Sequence, residues 1–155
     1  MLQPNEILNS EFLDFKLFPL AEPKVLLQQC IGQNQKGILV VIFEDDRRTE
    51  LLPFLGSILK AIHCDLNSDA MVLTITNKTV FSLTQFCSQA EIEARNIIFF
   101  GQHPKQVGLV VQTKKYHPLT IDQKTILFAD DLAKIHDNLP LKKSLWICLK
   151  NIFSS

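Results

Sequence analysis

The chain has 155 residues, of which 46% are hydrophobic and 21% charged, and its formal net charge is zero at pH 7. This length predicts one globular domain that buries roughly 68–70% of the surface of its unfolded chain, so neither a metal nor a disulfide is needed to hold it together. No stretch approaches the roughly 18 apolar residues of a transmembrane helix, and the N-terminus lacks the pattern of a secretory signal. Composition therefore predicts a cytoplasmic protein that does not bind a membrane.

Side chains that commonly bind metals or carry catalysis show no diagnostic spacing in this chain. The cysteines are far apart and form no Cys-x-x-Cys pair, which predicts buried, reduced thiols: Cys30, Cys64, Cys87 and Cys148. The histidines show no helical pairing either: His63, His103, His117 and His136. The sequence contains no glycine-rich phosphate loop and no Gly-x-Ser-x-Gly motif. We therefore predict neither a metal nor a cofactor.

Strand and helix patterns alternate along the middle of the chain. Apolar runs typical of buried strands occur at residues 38–43 (ILVVIF), 70–76 (AMVLTIT) and 96–101 (NIIFFG). Between these runs, residues 49–63 and 82–95 read as helices with an apolar face. This order predicts an α/β fold, a three-layer sandwich in which helices cover a central, mainly parallel sheet of four or five strands.

The C-terminal third of the chain predicts the remaining elements of this domain. Residues 107–112 and 125–128 are candidate short strands, and Asp130 is a candidate cap for a helix that ends near Asp137. The last helix is predicted to begin near Pro140, with its lysines in solvent and Trp146 in the core. Residues 36–155 are therefore predicted to form a single α/β domain.

The first 35 residues differ from this domain in pattern. Apolar and aromatic side chains are interleaved there with acids, amides and prolines, without a sustained period. Residues 1–35 are therefore predicted either to form an N-terminal arm that binds a partner, or to pack as a helix and a loop on their own domain.

The turn after the third predicted strand carries the first resemblance to a known family. Residues 97–104 read IIFFGQHP, and this order resembles the uracil-DNA glycosylases, in which Gly-Gln-Asp-Pro follows a buried strand. In that family the Asp activates or orients the water for base excision. Gly101, Gln102 and Pro104 match the motif, whereas His103 stands at the position of the Asp. A histidine offers no negative charge to an oxocarbenium-like sugar, so the resemblance implies the fold without the activity.

Three stretches in the same order resemble a second family of related fold, the psi subunit of bacterial DNA polymerase III. Residues 53–76 resemble the psi pattern of a proline-led apolar helix, a short loop and a strand. Residues 97–109 resemble its strand, Gly-x-x-Pro turn and Gly-Leu, and residues 131–153 resemble its terminal pair of helices with a Leu-Trp. Together they cover roughly two-thirds of the chain, and their shared order carries the resemblance, because each stretch alone is common.

The psi resemblance implies a non-enzymatic accessory subunit of the clamp loader. Such a protein joins the clamp-loader ATPase to a chi-like partner that contacts single-strand-binding protein, so DNA contact is expected to be indirect or weak and no small-molecule substrate is expected. The psi family binds the clamp loader through its N-terminal segment. In this chain the corresponding segment offers four candidate anchors: Phe12, Phe15, Leu17 and Phe18.

Two other functions stay open on the sequence alone. One is a small glycosylase-like or nucleotide-handling enzyme that uses Gln102, His103 and His117 in a pocket at the strand ends. A deep polar pocket around these three residues would favour this enzyme, whereas a region filled by Phe99, Phe100 and their neighbours would weaken it. The other function is a stand-alone α/β binding protein.

Overall fold

The computed structural model describes residues 20–153. This part of the chain contains six strands, five α-helices and one short 3-10 helix. The strands are β1 (Cys30–Ile31), β2 (Ile38–Phe43), β3 (Ala70–Ile75), β4 (Asn96–Phe100), β5 (Leu119–Ile121) and β6 (Lys124–Ala129). The α-helices are α1 (Pro23–Gln28), α2 (Arg48–Ala61), α3 (Leu83–Gln89), α4 (Leu132–His136) and α5 (Leu139–Phe153), and the 3-10 helix is Pro104–Val107.

The strands form one mixed sheet in the order β1-β3-β2-β4-β6-β5. The four central strands are parallel, and the edge strands β1 and β5 are antiparallel to their neighbours. The α/β fold with a mainly parallel centre is confirmed. The prediction of four or five strands is wrong, because β1 and β5 contain only two and three residues and leave no readable alternation in the sequence.

Helices cover both faces of this sheet, and each face has its own hydrophobic core. Ile38, Val40 and Ile42 of β2 belong to the core beneath α2, α4 and α5. Leu39 and Val41 of the same strand belong to the opposite core, beneath α1 and α3. A strand buried on both faces has no polar side to show, which is why β2 reads as an unbroken apolar run.

Three local predictions were wrong. The helix predicted at residues 82–95 ends at Gln89, because Glu91 adopts a left-handed backbone conformation with φ of 55°. The strand predicted at residues 107–112 does not form: a 3-10 helix ends at Val107 and no regular structure follows. The cap of α4 is Asp131 rather than Asp130, since the Asp131 carboxylate accepts the Ala133 N–H at 3.2 Å.

The last helix forms as predicted, but Trp146 does not lie in the core. Its neighbours Leu145, Cys148 and Leu149 are buried, whereas Trp146 is 43% and Ile147 59% exposed. Each helical residue advances about 100° around the axis, so Trp146 points away from the face that Leu145 buries. Helix α5 therefore presents an apolar outer face beside its lysines.

Residues 20–35 of the predicted N-terminal arm pack against the domain. Leu26 of α1 is buried in one of the two cores, and β1 pairs with β3. The predicted anchors Phe12, Phe15, Leu17 and Phe18 lie outside the described residues.

The thiols of Cys64, Cys87 and Cys148 are free and buried, as predicted, whereas Cys30 is free but only partly buried. Burial raises the pKa of the Cys30 thiol to about 11, so this side chain is a neutral thiol at physiological pH. In residues 20–153 no helix is both long and apolar enough to cross a bilayer.

Candidate functional site

The turn at residues 101–104 lies at the point where the strand order of the sheet reverses. From β2 the chain crosses to β3 on one side, and it then returns across β2 to β4 on the other side. Ligands of open parallel sheets collect at such a switch point, beyond the carboxyl ends of the strands. The turn follows β4 directly and packs on the end of β2: a Cβ atom at Gly101 would lie 2.9 Å from Cε2 of Phe43.

Gly101 makes the sharp exit from β4 possible. Its φ is 97°, a conformation that side chains with a Cβ rarely adopt. Its N–H donates to the carbonyl oxygen of Ala129 at 2.9 Å, which ties the turn to the end of β6. The positive φ of Gly101 and its main-chain hydrogen bond to Ala129 therefore fix the conformation of the turn.

Gln102 is the polar side chain that the turn buries. It is 4% exposed, and neither its amide oxygen nor its amide nitrogen has a hydrogen-bond partner in the described part of the chain. A buried amide without a partner costs about 1–3 kcal/mol, so such a group usually marks a bound molecule or a water.

His103 is exposed and holds the backbone of the turn. Its Nδ1 accepts the N–H of Lys105 at 3.2 Å and so caps the 3-10 helix that begins at Pro104. The ring nitrogen that faces the turn is thus occupied by a main-chain donor. Asparagine, aspartate and serine side chains accept main-chain N–H groups in the same way at the starts of helices.

A cavity of about 750 Å³, which we call the Gln102 groove, opens beside the turn. It is bounded by residues 102–105, residues 108–113, Lys115 and Phe128. Its exposed surface is mostly apolar, although half of its lining side chains are polar, and Val110 is fully exposed. The groove is therefore not the deep polar pocket that would favour an enzyme.

The three predicted catalytic residues do not share one cavity. Gln102 and His103 line the Gln102 groove, whereas His117 lines a neighbouring cavity with Lys114 and Pro118. The Nδ1 atom of His117 lies 3.0 Å from the carbonyl oxygen of Lys115. Phe99 and Phe100 do not fill the groove, because each is fully buried in one of the two cores.

Asp130, a buried carboxylate beside the groove, forms a charge cluster with two exposed lysines, a role that the sequence did not predict. Its carboxylate accepts hydrogen bonds from the Lys115 ammonium at 2.7 Å and the Tyr116 hydroxyl at 2.8 Å, and Lys134 Nζ lies 3.7 Å away. Burial alone would raise the pKa of Asp130, but the donors from Lys115 and Tyr116 outweigh it and hold this pKa below its ordinary value. The hydrogen bonds from Lys115 and Tyr116 to Asp130 therefore hold the loop of residues 114–117 against the end of β6.

Replacing Tyr116 with phenylalanine is expected to lower the free energy of unfolding by about 1–3 kcal/mol at pH 7, because a buried carboxylate loses a donor. The aromatic ring and the left-handed backbone at this position, with φ of 65°, are unchanged by the substitution. Folding lowers the pKa of Asp130, so its ionised carboxylate stabilises the folded protein fully above the ordinary pKa of aspartate. This stabilisation is lost as the pH falls through the pKa that Asp130 has in the folded protein. Urea unfolding from pH 7 to pH 3 measures this.

The difference in the free energy of unfolding between the wild-type protein and the Tyr116→Phe variant should therefore become smaller toward pH 3. A difference that is already near zero at pH 7 would contradict the structural role of the Asp130 cluster.

The turn at residues 101–104 offers polar side chains but no carboxylate of its own. Residues 101–121 contain no aspartate or glutamate. Asp130 is engaged by Lys115 and Tyr116. In residues 20–153 no three His, Cys, Asp or Glu side chains are grouped so that they could hold a metal ion.

No protein-family model matches the chain, and no curated protein matches its sequence.

Proposed function

We propose that this protein is a non-enzymatic adaptor, a psi-like accessory subunit of the bacterial replicative clamp loader. It would join the clamp-loader ATPase to a chi-like partner that contacts single-strand-binding protein. The three stretches with psi-like order support this function, and all three lie in the same domain. Helices on both sheet faces support the finer assignment to a three-layer, uracil-DNA glycosylase-like fold.

The observation that carries the non-enzymatic part is the role of His103. It stands at the position of the catalytic Asp in the glycosylase motif, and the Nδ1 atom of its ring accepts the Lys105 N–H. Water activation for base excision needs a general base within reach of the reacting atoms. An imidazole whose Nδ1 accepts a main-chain N–H carries its proton on Nε2, so neither ring nitrogen is a free base.

Two surfaces suit an adaptor. One is the N-terminal segment with Phe12, Phe15, Leu17 and Phe18, which would bind the ATPase assembly. The other is the outer face of α5, where exposed Leu139, Trp146 and Ile147 lie beside lysines. Tryptophan is enriched among the residues that dominate interface energetics, so this face is the candidate surface for the chi-like partner.

A small glycosylase-like or nucleotide-handling enzyme is the second candidate, and one observation favours it. Gln102 lines a cavity large enough for a small molecule, and its buried amide has a donor and an acceptor without a partner in the described residues. A nucleobase carries a matching donor and acceptor, and the Gln102 side chain would have to turn outward to reach it. The occupied Nδ1 atom of His103 and the nearly complete burial of Phe128 oppose this function, because stacking on exposed aromatic faces is a common source of affinity for bases.

A uracil-excision assay separates the adaptor from a glycosylase-like enzyme. Purified full-length protein should release no more uracil from single- or double-stranded uracil-containing DNA than its His103→Ala variant does. Release above that control would overturn the non-enzymatic proposal. The adaptor proposal also predicts that clamp-loader subunits co-purify with the full-length chain, which affinity isolation from the native host measures.

A further inference from the structure

The outer face of α5 combines apolar and cationic side chains in one strip. Each helical residue advances about 100° around the axis, so five exposed side chains share an arc of about 100°: Leu139, Lys143, Trp146, Ile147 and Lys150. Lys143 and Lys150 are seven residues apart, which is about 10.5 Å along the axis, and Trp146 lies between them. The lysines are therefore interleaved with the apolar side chains instead of forming a separate polar face.

The lysines of this face have no carboxylate partner in the described part of the chain. Residues 138–153 contain three lysines and no aspartate or glutamate. The nearest acid before them, Asp137, is paired with Arg47 at 2.9 Å. Neither Lys143 nor Lys150 takes part in the ion pairs of the described residues. The face is thus positively charged, and complementarity favours an occupant with negative charge.

The mixture of side chains narrows the kind of occupant. In a symmetric contact between two copies, the lysines of both α5 helices would come together, and such like charges are unfavourable. A nucleic acid can pair with the lysines and stack on Trp146, but it leaves Leu139 and Ile147, each more than half exposed, without apolar contacts. Helices that lie on membranes separate their lysines from their apolar side chains, which α5 does not. A protein segment with carboxylates among apolar side chains matches the whole face.

We infer that the outer face of α5 binds an amphipathic helix of a partner protein, with two carboxylates about seven residues apart among apolar side chains. The carboxylates pair with Lys143 and Lys150, and the apolar side chains cover Leu139, Trp146 and Ile147. A helix fits this strip, because helices pack lengthwise on one another and place residues seven apart on the same side. The ion pairs set the register, and burial of Trp146 and its apolar neighbours supplies most of the affinity.

This inference deepens the adaptor proposal and rests on it for the presence of a protein partner at this face. It adds the chemistry that the partner must present there. Its test needs no clamp-loader protein, so a failure would remove this surface alone. Recovery of clamp-loader subunits from the native host would still decide the adaptor function.

Trp146 is the only tryptophan of the chain, so tryptophan fluorescence reports on this face alone. Full-length protein is titrated with a synthetic helix of leucine, alanine and glutamine that carries two glutamates seven positions apart among the leucines. The helix has about 20 residues, since shorter ones are marginal in water. A matched peptide carries glutamine in place of both glutamates.

The acidic peptide should shift the emission of Trp146 to shorter wavelength, because its ring leaves water. The glutamine peptide should bind about tenfold more weakly, because two partly exposed ion pairs are lost. This difference should disappear in 1 M salt, where the Debye length is about 3 Å.

A charge-reversed variant makes the result specific. The Lys143→Glu, Lys150→Glu variant should lose the preference for the acidic peptide and should prefer a third peptide with lysine at the two positions. The matched control is Lys24→Glu, Lys60→Glu, which makes the same change of net charge at exposed sites on α1 and α2. This control should bind the acidic peptide as the wild-type protein does.

The inference is overturned if up to about 1 mM acidic peptide leaves the emission unchanged, a limit that corresponds to very weak binding. It is also overturned if the glutamine peptide binds equally well, or if the charge reversal does not exchange the preference. Single-stranded oligothymidylate and phosphatidylserine vesicles are titrated in parallel. A shift with either of them and none with the peptide would assign the face to nucleic acid or to a membrane instead. Emission that changes with protein concentration alone would assign it to a second copy.

Discussion

Replacing Phe99 with alanine is expected to lower the free energy of unfolding by about 3–5 kcal/mol, the range for a fully buried phenylalanine. Phe99 is completely buried in β4, and its ring stacks on Phe128 at 4.8 Å. Alanine would leave a cavity that the surrounding strands cannot close, because β4 is held on both sides by parallel neighbours. Urea unfolding followed by circular dichroism measures the loss.

The Phe99 variant also probes the Gln102 groove. Phe128 forms part of the groove wall, so removing its stacking partner should loosen that wall. The Phe99→Leu variant keeps most of the apolar volume and should lose less stability than Phe99→Ala. A loss below about 1 kcal/mol for Phe99→Ala would contradict the packing described here, since such values are typical of surface changes.

The Gly101→Ala variant is expected to lose about 1–3 kcal/mol of stability from backbone strain, with a further loss from steric contact. Its φ of 97° excludes most residues with a Cβ, and that atom would lie 3.2 Å from Cα of Asp131 in addition to its contact with Phe43. A ring can rotate away, but a main-chain Cα cannot. Thermal unfolding of the variant measures the combined effect.

Gly56 supplies a matched control for this substitution. It lies inside α2, and a Cβ there would meet only the end of Leu66, at 3.8 Å. The Gly56→Ala change should therefore gain about 0.5–1 kcal/mol, because alanine is the better helix former. If Gly101→Ala were as stable as Gly56→Ala, the turn at residues 101–104 would not be structural in the sense proposed here.

The sequence predicts the centre of this fold because burial there leaves a simple pattern. Strands β2, β3 and β4 are buried on both faces, and α2 carries Leu51, Leu55 and Leu59 on one buried face. Such segments keep their periodicity whatever surrounds them. The last helix was also predicted within one residue of its start at Leu139.

The errors lie where contacts distant in the sequence decide the outcome. Strands β1 and β5 exist because they pair with longer neighbours, and two or three residues carry no period of their own. Asp130 and Asp131 are equally good caps by sequence, but Lys115 and Tyr116 engage Asp130 and leave Asp131 to cap α4. No local pattern reveals those partners.

The candidate site was predicted in part. The turn at Gly101 and Pro104 could be recognised, because a glycine after a buried strand followed by a proline indicates a sharp turn. The unsatisfied state of Gln102 could not, since it depends on every group packed around the amide. The separation of His117 from Gln102 likewise depends on the path of residues 109–116.

Affinity isolation of partners from the native host tests the adaptor function most directly. Full-length protein is compared with the Phe15→Asp, Phe18→Asp variant, with Val25→Asp as the matched surface control, and bound proteins are identified by mass spectrometry. The adaptor proposal predicts clamp-loader subunits with the full-length and Val25→Asp proteins and their loss with the double variant. Recovery of no clamp-loader subunit with any of the three would contradict it.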